Sequence, residues 1–171
     1  MFYHTIYPSP LGDLTLLADD QALYGLWFSD QQHYGANYDL GRSTGQVTPL
    51  LTRVTTWLDA YFAGRQPDPA TLPLKPEVTA FRQQVLSVIR QVPYGQTITY
   101  QEIATRMGRP TVSRAVGGAV GHNPISIIIP CHRVMGSDGS LTGYAGGIDR
   151  KIALLTLEGC DLAALRAGRA N

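Results

Sequence analysis

The sequence predicts an α/β protein of the α+β type with two domains. Residues 2–28 hold three short runs of strand-forming residues separated by turn residues, which predicts antiparallel strands. Residues 65–76 contain four prolines, and apolar residues recur at helical spacing beyond them. We therefore expect an N-terminal domain over residues 1–75, with an antiparallel sheet and a helix, and a mostly helical C-terminal domain over residues 76–171.

The N-terminal domain is predicted to contain three strands and one helix. The strands are expected at residues 2–7, 14–18 and 22–28, and the helix at residues 51–62. Proline, glycine and aspartate mark the turns between the strands, and Gly64 marks the end of the helix. Residues 29–48 are polar and rich in glycine, so no regular element is predicted there.

The C-terminal domain is predicted to contain a helix-turn-helix. The expected elements are a helix over residues 79–91, a second over 100–107, a turn over 108–110, and a third helix from Thr111 to about Gly121. Thr99 and Glu102 have the spacing of a capping box, which predicts the start of the second helix. Thr111 is expected to cap the third helix.

The third of these helices is predicted to have one bare face. Its buried stripe consists of Val112, Ala115, Val116, Ala119 and Val120, and the opposite face carries Arg114, Gly117, Gly118 and Gly121. Each glycine within a helix costs about 0.5–1 kcal/mol relative to alanine, so three on one face need a reason. Two explanations remain open. The face docks closely on DNA with Arg114 inserted, or the glycines pack against another part of the chain.

Composition favours a cytoplasmic protein with reduced thiols. No apolar run approaches the roughly 20 residues of a membrane helix, and no signal peptide is visible at the N-terminus. Two cysteines and four histidines without ligand spacing predict no metal site. Residues 1–75 hold four Lys and Arg against seven Asp and Glu, whereas residues 76–171 hold ten against six. The basic C-terminal half indicates phosphate or nucleic acid, or else a solvated basic surface.

The stretch around Cys131 is the best candidate for chemistry. The three isoleucines at 127–129 predict a short buried strand, which Pro130 ends. His132 and Arg133 follow the thiol, and cations beside a cysteine lower its pKa and favour the reactive thiolate. A small buried cysteine without chemical function is the alternative, and Cys160 is expected to be of that structural kind.

His132 is the candidate base for Cys131. Adjacent residues on an extended segment point to opposite faces, so a direct bond between the two side chains is awkward and a water is expected to relay the proton. Glu158 continues the inward stripe of a helix predicted over residues 149–158 and is expected to orient His132, unless it lies on the surface. The glycine-rich residues 143–147, with Tyr144, form a candidate lid.

These residues together resemble the O6-alkylguanine-DNA alkyltransferases of the bacterial single-polypeptide type. The motifs that match are Pro-Cys-His-Arg-Val at 130–134, Asn-Pro at 123–124, Arg-Ala-Val-Gly-Gly-Ala at 114–119, Gly-Tyr-Ala-Gly-Gly at 143–147 and Leu-Glu-Gly at 157–159. The match is ordered from about residue 79 to residue 159. The first 75 residues match in outline the ribonuclease-H-like N-terminal domain of that family.

The resemblance implies a role for each matching residue. Cys131 would be the nucleophile, His132 its water-mediated base and Glu158 the group that orients His132. Asn123 would position the thiolate, and Tyr100 would donate a proton to the guanine ring. The implied DNA contacts are Arg114, which would replace the flipped base, with Thr111, Ser113, Gly117, Gly118 and Ala119. The implied substrate pocket is Val134, Tyr144, Ala145 and Gly146.

The resemblance also implies the reaction. Such a protein transfers the alkyl group from O6-alkylguanine, and from O4-alkylthymine, in duplex DNA irreversibly to its own cysteine, once per molecule and without a cofactor. It flips the damaged base out through the minor groove. Its partner would be double-stranded DNA, with no membrane involved, and it would be a monomer free in solution, with cooperative binding on DNA left open. A non-enzymatic sensor of alkylated bases and a thiol hydrolase are the alternatives.

Overall fold

The computed structural model describes residues 1–141 and 143–163, which form two compact units. Unit 1 consists of Met1–Glu77 together with Pro124–Ile128. Unit 2 consists of Val78–Asn123 and the described residues from 129 onward. The predicted combination of an N-terminal antiparallel sheet and a helical C-terminal part is confirmed.

Unit 1 is built on a four-stranded sheet. The strands are β1 (Tyr3–Ser9), β2 (Gly12–Ala18), β3 (Leu23–Phe28) and β4 (Thr44–Gly45), in the order β3-β2-β1-β4. The first three form the predicted antiparallel meander, whereas β4 runs parallel to β1 at the edge. The prediction missed β4 because its two residues are exposed and too few to show a period.

Helix α1 (Pro49–Phe62) packs against β1 and β2 and completes the core of unit 1. The Thr48 hydroxyl accepts the Leu51 backbone N–H at 3.2 Å, so Thr48 is the N-cap. The helix ends at a left-handed Gly64 with φ of 79°, as the sequence predicts.

Two further segments pair with β3. The Leu23 N–H donates to the Pro73 carbonyl at 2.9 Å, and the Lys75 N–H donates to the Leu23 carbonyl at 2.8 Å. Later in the chain, the Leu26 N–H donates to the Pro124 carbonyl at 2.9 Å. The end of the proline-rich segment is therefore fixed to the sheet by backbone hydrogen bonds and is not a free linker.

Unit 2 is mostly helical. Its elements are α2 (Ala80–Ile89), β5 (Ile98–Thr99), α3 (Tyr100–Arg106), α4 (Ser113–Gly121), β6 (Val134–Met135) and α5 (Ile148–Leu157), and β5 pairs in parallel with β6. Helices α3 and α4 form the helix-turn-helix and α2 packs on both. No helix in the described part of the chain is long and apolar enough to cross a membrane.

The start of α3 follows the sequence, whereas the start of α4 does not. The Thr99 hydroxyl accepts the Glu102 N–H at 3.1 Å, as a capping box requires. The prediction that Thr111 caps α4 is wrong, because α4 begins at Ser113 after Val112 and no side chain caps it. A hydrogen bond of 3.2 Å from the Val112 N–H to the Arg109 carbonyl closes a turn that contains Thr111.

Candidate active site

The three isoleucines before the thiol are buried as predicted, but they do not form a strand. All three are at most 2% exposed. The Ile128 N–H donates to the Ser126 carbonyl at 2.8 Å, and Ile127 has a φ of 70°, which is rare for a β-branched residue. The strand prediction is therefore wrong, because the backbone closes a tight turn at Ile127.

Cys131, His132 and Arg133 form one turn of 3₁₀-helix after Pro130. The Arg133 N–H donates to the Pro130 carbonyl at 3.0 Å. The segment is therefore not extended, which corrects the reason given for a relay water between Cys131 and His132. Successive side chains of such a turn diverge by about a third of a revolution.

The Cys131 thiol is buried and is protonated in the resting protein. Only 3% of the residue is exposed, and burial raises the pKa of the thiol. A hydrogen bond from Asn123 and the charge of Lys151 act in the opposite direction and lower the pKa. The expectation that the side chains of His132 and Arg133 would lower this pKa is wrong, because both are bonded to Glu158, and only the backbone of His132 acts on the thiol to lower it.

Asn123 holds the backbone and the thiol of this segment together. It is 4% exposed, and its Nδ2 donates to the Ile129 carbonyl at 2.9 Å. Its amide also hydrogen-bonds the Cys131 side chain and favours the thiolate. One buried amide therefore fixes the position of the sulfur.

His132 and Glu158 form a buried pair, so the alternative that Glu158 lies on the surface is excluded. His132 Nε2 lies 2.6 Å from Glu158 Oε2, and both side chains are 0% exposed. Burial lowers the pKa of His132 and outweighs the opposing effect of Glu158. Burial acts to raise the pKa of Glu158, but hydrogen bonds from His132 and Arg133 hold it well below its usual range. The resting pair is therefore a neutral imidazole on a carboxylate.

The end of α5 aims Glu158 inward. Gly159 has a φ of 84°, and the Cys160 N–H donates to the Leu155 carbonyl at 3.0 Å. This is a Schellman ending, in which glycine takes the left-handed position just past the helix. Glu158 is therefore the C-cap residue, and its side chain is fixed by the same turn that ends the helix.

Arg133 belongs to the same network, whereas the sequence suggested for it only an effect on the thiol of Cys131. Its Nε donates to Glu158 Oε1 at 2.8 Å, its Nη2 donates to Glu158 Oε2 at 3.0 Å, and its Nη1 donates to the Val92 carbonyl at 2.8 Å. The Gly95 N–H also donates to Glu158 Oε1 at 3.1 Å. Only the position of Arg133 next to His132 could have suggested this arrangement.

Lys151 is a second residue that sequence reasoning missed. It is 1% exposed, its Nζ donates to the Val134 carbonyl, and burial lowers its pKa to about 8. Its charge also acts on Cys131. The signal in the sequence was its position three and four residues before the buried Leu154 and Leu155, on the inward stripe of α5.

Tyr100 and the 143–147 loop lie against each other. A Cβ added at Gly143 would collide with the Tyr100 hydroxyl. Tyr100 is half-buried, and its pKa is raised by burial and, when Cys131 is ionised, by the thiolate charge. Tyr144 is 8% exposed and meets the His132 ring edge-on at 6.5 Å, while Ala145 is half-buried and Gly146 buried. Tyr100, Cys131 and His132 are therefore grouped with the candidate lid.

The predicted bare face of α4 is open. Arg114 and Gly118 are exposed, and a Cβ added at Gly118 or Gly121 would meet no atom of the described residues within 4 Å. A Cβ at Gly117 would lie 3.9 Å from the Tyr100 ring. The alternative was that the three glycines pack against another part of the chain. Within residues 1–141 and 143–163, that packing is excluded for Gly118 and Gly121.

Other residues of the α4 region depart from their expected places. Ala115 is exposed, although it was expected on the buried stripe, because that stripe narrows to Val116, Ala119 and Val120. Ala119 is 3% exposed, as its place on the predicted buried stripe requires, and the DNA contact that the resemblance implies for it stays a prediction. Thr111 is exposed and Ser113 half-buried.

Comparisons with known proteins agree over nearly the whole chain. Residues 2–76 match the ribonuclease-like domain of 6-O-methylguanine DNA methyltransferase, and residues 80–160 match the DNA-binding domain of the same proteins. The chain is 44% identical over 156 residues to the methylated-DNA–protein-cysteine methyltransferase of Haemophilus influenzae, covering 91% of this chain and 86% of that protein. The Methanosarcina acetivorans protein of that name is 41% identical, covering 92% of this chain and 98% of its own.

Solved structures agree with the sequence comparison. The structure of Mycobacterium tuberculosis OGT in complex with DNA matches with a TM-score of 0.82 and 40% identity, covering 95% of this chain and 98% of that one. The chain belongs to the 6-O-methylguanine DNA methyltransferase family, which confirms the resemblance seen in its motifs.

Proposed function

We propose that this protein repairs O6-alkylguanine in double-stranded DNA by moving the alkyl group irreversibly to Cys131. The observation that carries the proposal is the grouping around the sulfur: Asn123 and Lys151 act on the thiol, and His132 is paired with the buried carboxylate of Glu158. Membership of the family and the methyltransferase names of its relatives support the same reaction.

The first step is removal of the thiol proton. The pKa of Cys131 is raised by burial, so a base has to act on it. Nε2 of His132 is bonded to Glu158, so a relay water between the imidazole and the sulfur has to use Nδ1. The imidazolium that forms is stabilised by the Glu158 carboxylate, and the thiolate by Asn123 and Lys151.

The second step is an in-line displacement. The Cys131 thiolate attacks the carbon bonded to O6, a C–S bond forms, and the C–O6 bond breaks with its electron pair moving to the guanine. Tyr100 donates its proton to the guanine ring and regains one from the thiol proton held by His132. Atoms and charge balance without a cofactor. The thioether is stable, so each molecule reacts once.

The pocket for the flipped base lies between Tyr100 and the 143–147 loop in this proposal. The Tyr144 ring would wall the base, and the backbone groups of Val134, Ala145 and Gly146 would bond its edge. The Val134 carbonyl already accepts from Lys151, so its second lone pair is the one offered to the base. The small side chain of Ala145 favours bulky alkyl groups, and O4-alkylthymine is proposed as a second substrate.

The open face of α4 is the proposed DNA surface. Gly117 and Gly118 would let the helix backbone approach the minor groove, and Arg114 would fill the stack after the base leaves. Thr111 and Ser113 precede Arg114 and would contact the phosphates. We propose that the protein acts in the cytoplasm as a monomer, and the free thiols of Cys131 and Cys160 support a reducing compartment.

A single-turnover assay tests the proposal. The protein is incubated with an excess of a duplex that carries one O6-methylguanine, and the loss of O6-methylguanine from the DNA is followed together with the methyl groups gained by the protein. Wild type and Cys160→Ser should each take up one methyl group per molecule, and Cys131→Ser should take up none while it still binds DNA. Equal transfer by Cys131→Ser would overturn the assignment, and binding without any transfer by wild type would indicate a sensor.

A further inference from the structure

We infer that Arg133 is a positioning residue that keeps His132 available as a base, because its guanidinium occupies both oxygens of the carboxylate that His132 also binds. The inference rests on the proposed role of His132. It assigns to Arg133 a chemical effect on its neighbour in addition to any effect on folding.

The geometry makes Arg133 a fixed partner of Glu158. The Nε and Nη2 groups bind the two carboxylate oxygens in a bidentate fork at 2.8 and 3.0 Å, and Nη1 is anchored on the Val92 carbonyl at 2.8 Å. The guanidinium also lies 5.8 Å from the centre of the Tyr94 ring. The three hydrogen bonds join the planar guanidinium to the planar carboxylate and to the Val92 carbonyl, and they hold the Arg133 side chain in one orientation.

Glu158 is therefore shared between two donors. Its Oε2 accepts from both His132 Nε2 and Arg133 Nη2, and its Oε1 accepts from Arg133 Nε and the Gly95 N–H. A carboxylate that is neutralised by a guanidinium attracts an imidazolium less strongly than a carboxylate whose only partner is the imidazole. Arg133 thus limits how strongly Glu158 can hold a proton on His132.

The positive charges around His132 also disfavour its protonation. His132 is acted on by Glu158, Arg133 and Lys151, and of these only Glu158 favours its protonation. Tyr94 and Cys160 are the other titratable groups coupled to Glu158, and burial raises the pKa of both, so both are neutral near pH 7. If Arg133 is removed, the full charge of Glu158 acts on His132, and the imidazole binds a proton in the resting protein. A protonated His132 cannot accept the proton of Cys131.

The test uses two readouts on the full-length protein. Nitrogen-15 NMR of labelled histidines reports the protonation and tautomer of His132, and single-turnover methyl transfer from an O6-methylguanine duplex reports the rate as a function of pH. In wild type, His132 should stay neutral with its proton on Nε2 around and below the ordinary histidine pKa of about 6.5. In Arg133→Gln, the His132 resonances should titrate at higher pH, and the acid limb of the rate profile should move to higher pH with them.

Two further variants separate charge from structure. Arg133→Lys keeps the positive charge and should leave the acid limb close to that of wild type. Arg90→Gln removes an exposed arginine of the same unit and should change neither readout. An unmoved acid limb in Arg133→Gln, with a rate lowered equally at every pH, would overturn the inference and leave Arg133 a purely structural role.

The NMR readout keeps the inference testable in two other cases. If Arg133→Gln does not fold, a protonated His132 in wild type near pH 7 would by itself overturn the inference. If no methyl transfer occurs at any pH, the proposed function fails, whereas the shift of the His132 resonances still decides the effect of Arg133.

Discussion

His132 Nε2 lies 2.6 Å from Glu158 Oε2, and neither side chain is exposed to solvent. The two residues are brought together by two short structures, the 3₁₀ turn that starts at Cys131 and the glycine ending of α5. Because Glu158 accepts the Nε2 proton, the imidazole can act on Cys131 only through Nδ1. The ending of α5, which places Glu158 on Nε2, therefore sets the tautomer of His132 that the proposed base role requires.

Glu158→Gln should lower both the rate of transfer and the stability. The amide removes the charge that stabilises the imidazolium, and general base catalysis typically contributes about 10²–10⁴-fold to a rate. The change also leaves the Arg133 charge buried without its partner, and breaking a buried pair costs about 3–5 kcal/mol. Single-turnover kinetics and urea unfolding measure the two effects, with the exposed Asp149→Asn on α5 as the control. A Glu158→Gln protein with the wild-type rate would contradict the role of Glu158.

The same carboxylate predicts a dependence of stability on pH. The pKa of Glu158 is lowered in the folded protein, so its contribution to stability is fully present above the unfolded value of about 4.3 and is lost as pH falls toward the folded value. The stability of wild type should therefore fall more steeply below about pH 4 than that of Glu158→Gln. Urea unfolding at a series of acidic pH values measures this, and parallel curves would contradict the buried charged pair.

Lys151 predicts a second change, at alkaline pH, in which stability again rises with pH. Its pKa falls from 10.5 to about 8 because the side chain is buried, so folding is disfavoured by its charge below about pH 8. As pH rises from about 8 to about 10.5, wild type should gain up to about 3 kcal/mol relative to Lys151→Met. Both proteins carry Cys131→Ser, because Lys151 also shifts the titration of that thiol, so the difference between the two curves isolates Lys151. A constant difference would mean that Lys151 has an ordinary pKa.

Lys151→Met should also slow alkyl transfer, because it removes a cation that favours the Cys131 thiolate. The loss should be greatest at neutral pH and should shrink at high pH, where hydroxide forms the thiolate in either protein. Single-turnover rates across this range, with Arg90→Met as the control for loss of one positive charge, measure the effect. An equal loss of rate at all pH values would mean that Lys151 acts only through the Val134 carbonyl.

Gly118→Ala should raise the stability of the protein and lower its affinity for duplex DNA. The added Cβ meets open space, so alanine should stabilise α4 by about 0.5–1 kcal/mol. If the bare face lies against DNA, the same methyl group should weaken duplex binding by about tenfold, or ~1.4 kcal/mol. Thermal unfolding and DNA titration on one protein measure both effects, and Gln84→Ala on the exposed side of α2 is the control. Unchanged DNA affinity would remove Gly118 from the interface.

Arg114→Ala should reduce repair of duplex DNA far more than reaction with the free base O6-benzylguanine. Arg114 is proposed to fill the gap in the base stack, and without it nothing offsets the unstacking of the flipped base. Unstacking costs a few kcal/mol per base step, so the rate on duplex should fall roughly 10–100-fold. The free base needs no flipping and should react at close to the wild-type rate. Equal losses on both substrates would contradict the role of Arg114.

In wild type, DNA affinity should fall as salt rises.

The sequence predicted the elements that depend on local signals. The three strands of the meander, the cap at Thr99 and the glycine endings at Gly64 and Gly159 all occur where their residue types predict them. These signals act over three to five residues and involve few distant partners. The inward position of Glu158 was predictable for the same reason, because it continues the periodicity of α5 up to a glycine stop.

What the sequence could not predict depends on contacts between distant segments. β4 is two residues long and exists because β1 offers an edge, and residues 73–75 pair with β3 although they belong to a segment with four prolines. The tight turn at Ile127 opposes the preference of a β-branched residue for extended backbone. The roles of Arg133 and Lys151 depend on partners that lie 17–41 residues away in the chain.

The central claim is that Cys131, and not Cys160, receives the alkyl group, and peptide mapping tests it most directly. Trypsin places Cys131 in the peptide of residues 115–133 and Cys160 in the peptide of residues 152–166. After incubation with a duplex that carries a deuterium-labelled O6-methylguanine, mass spectrometry should find one labelled methyl group on Cys131 and none on Cys160. An unlabelled 115–133 peptide after saturating exposure, or label on Cys160, would contradict the account.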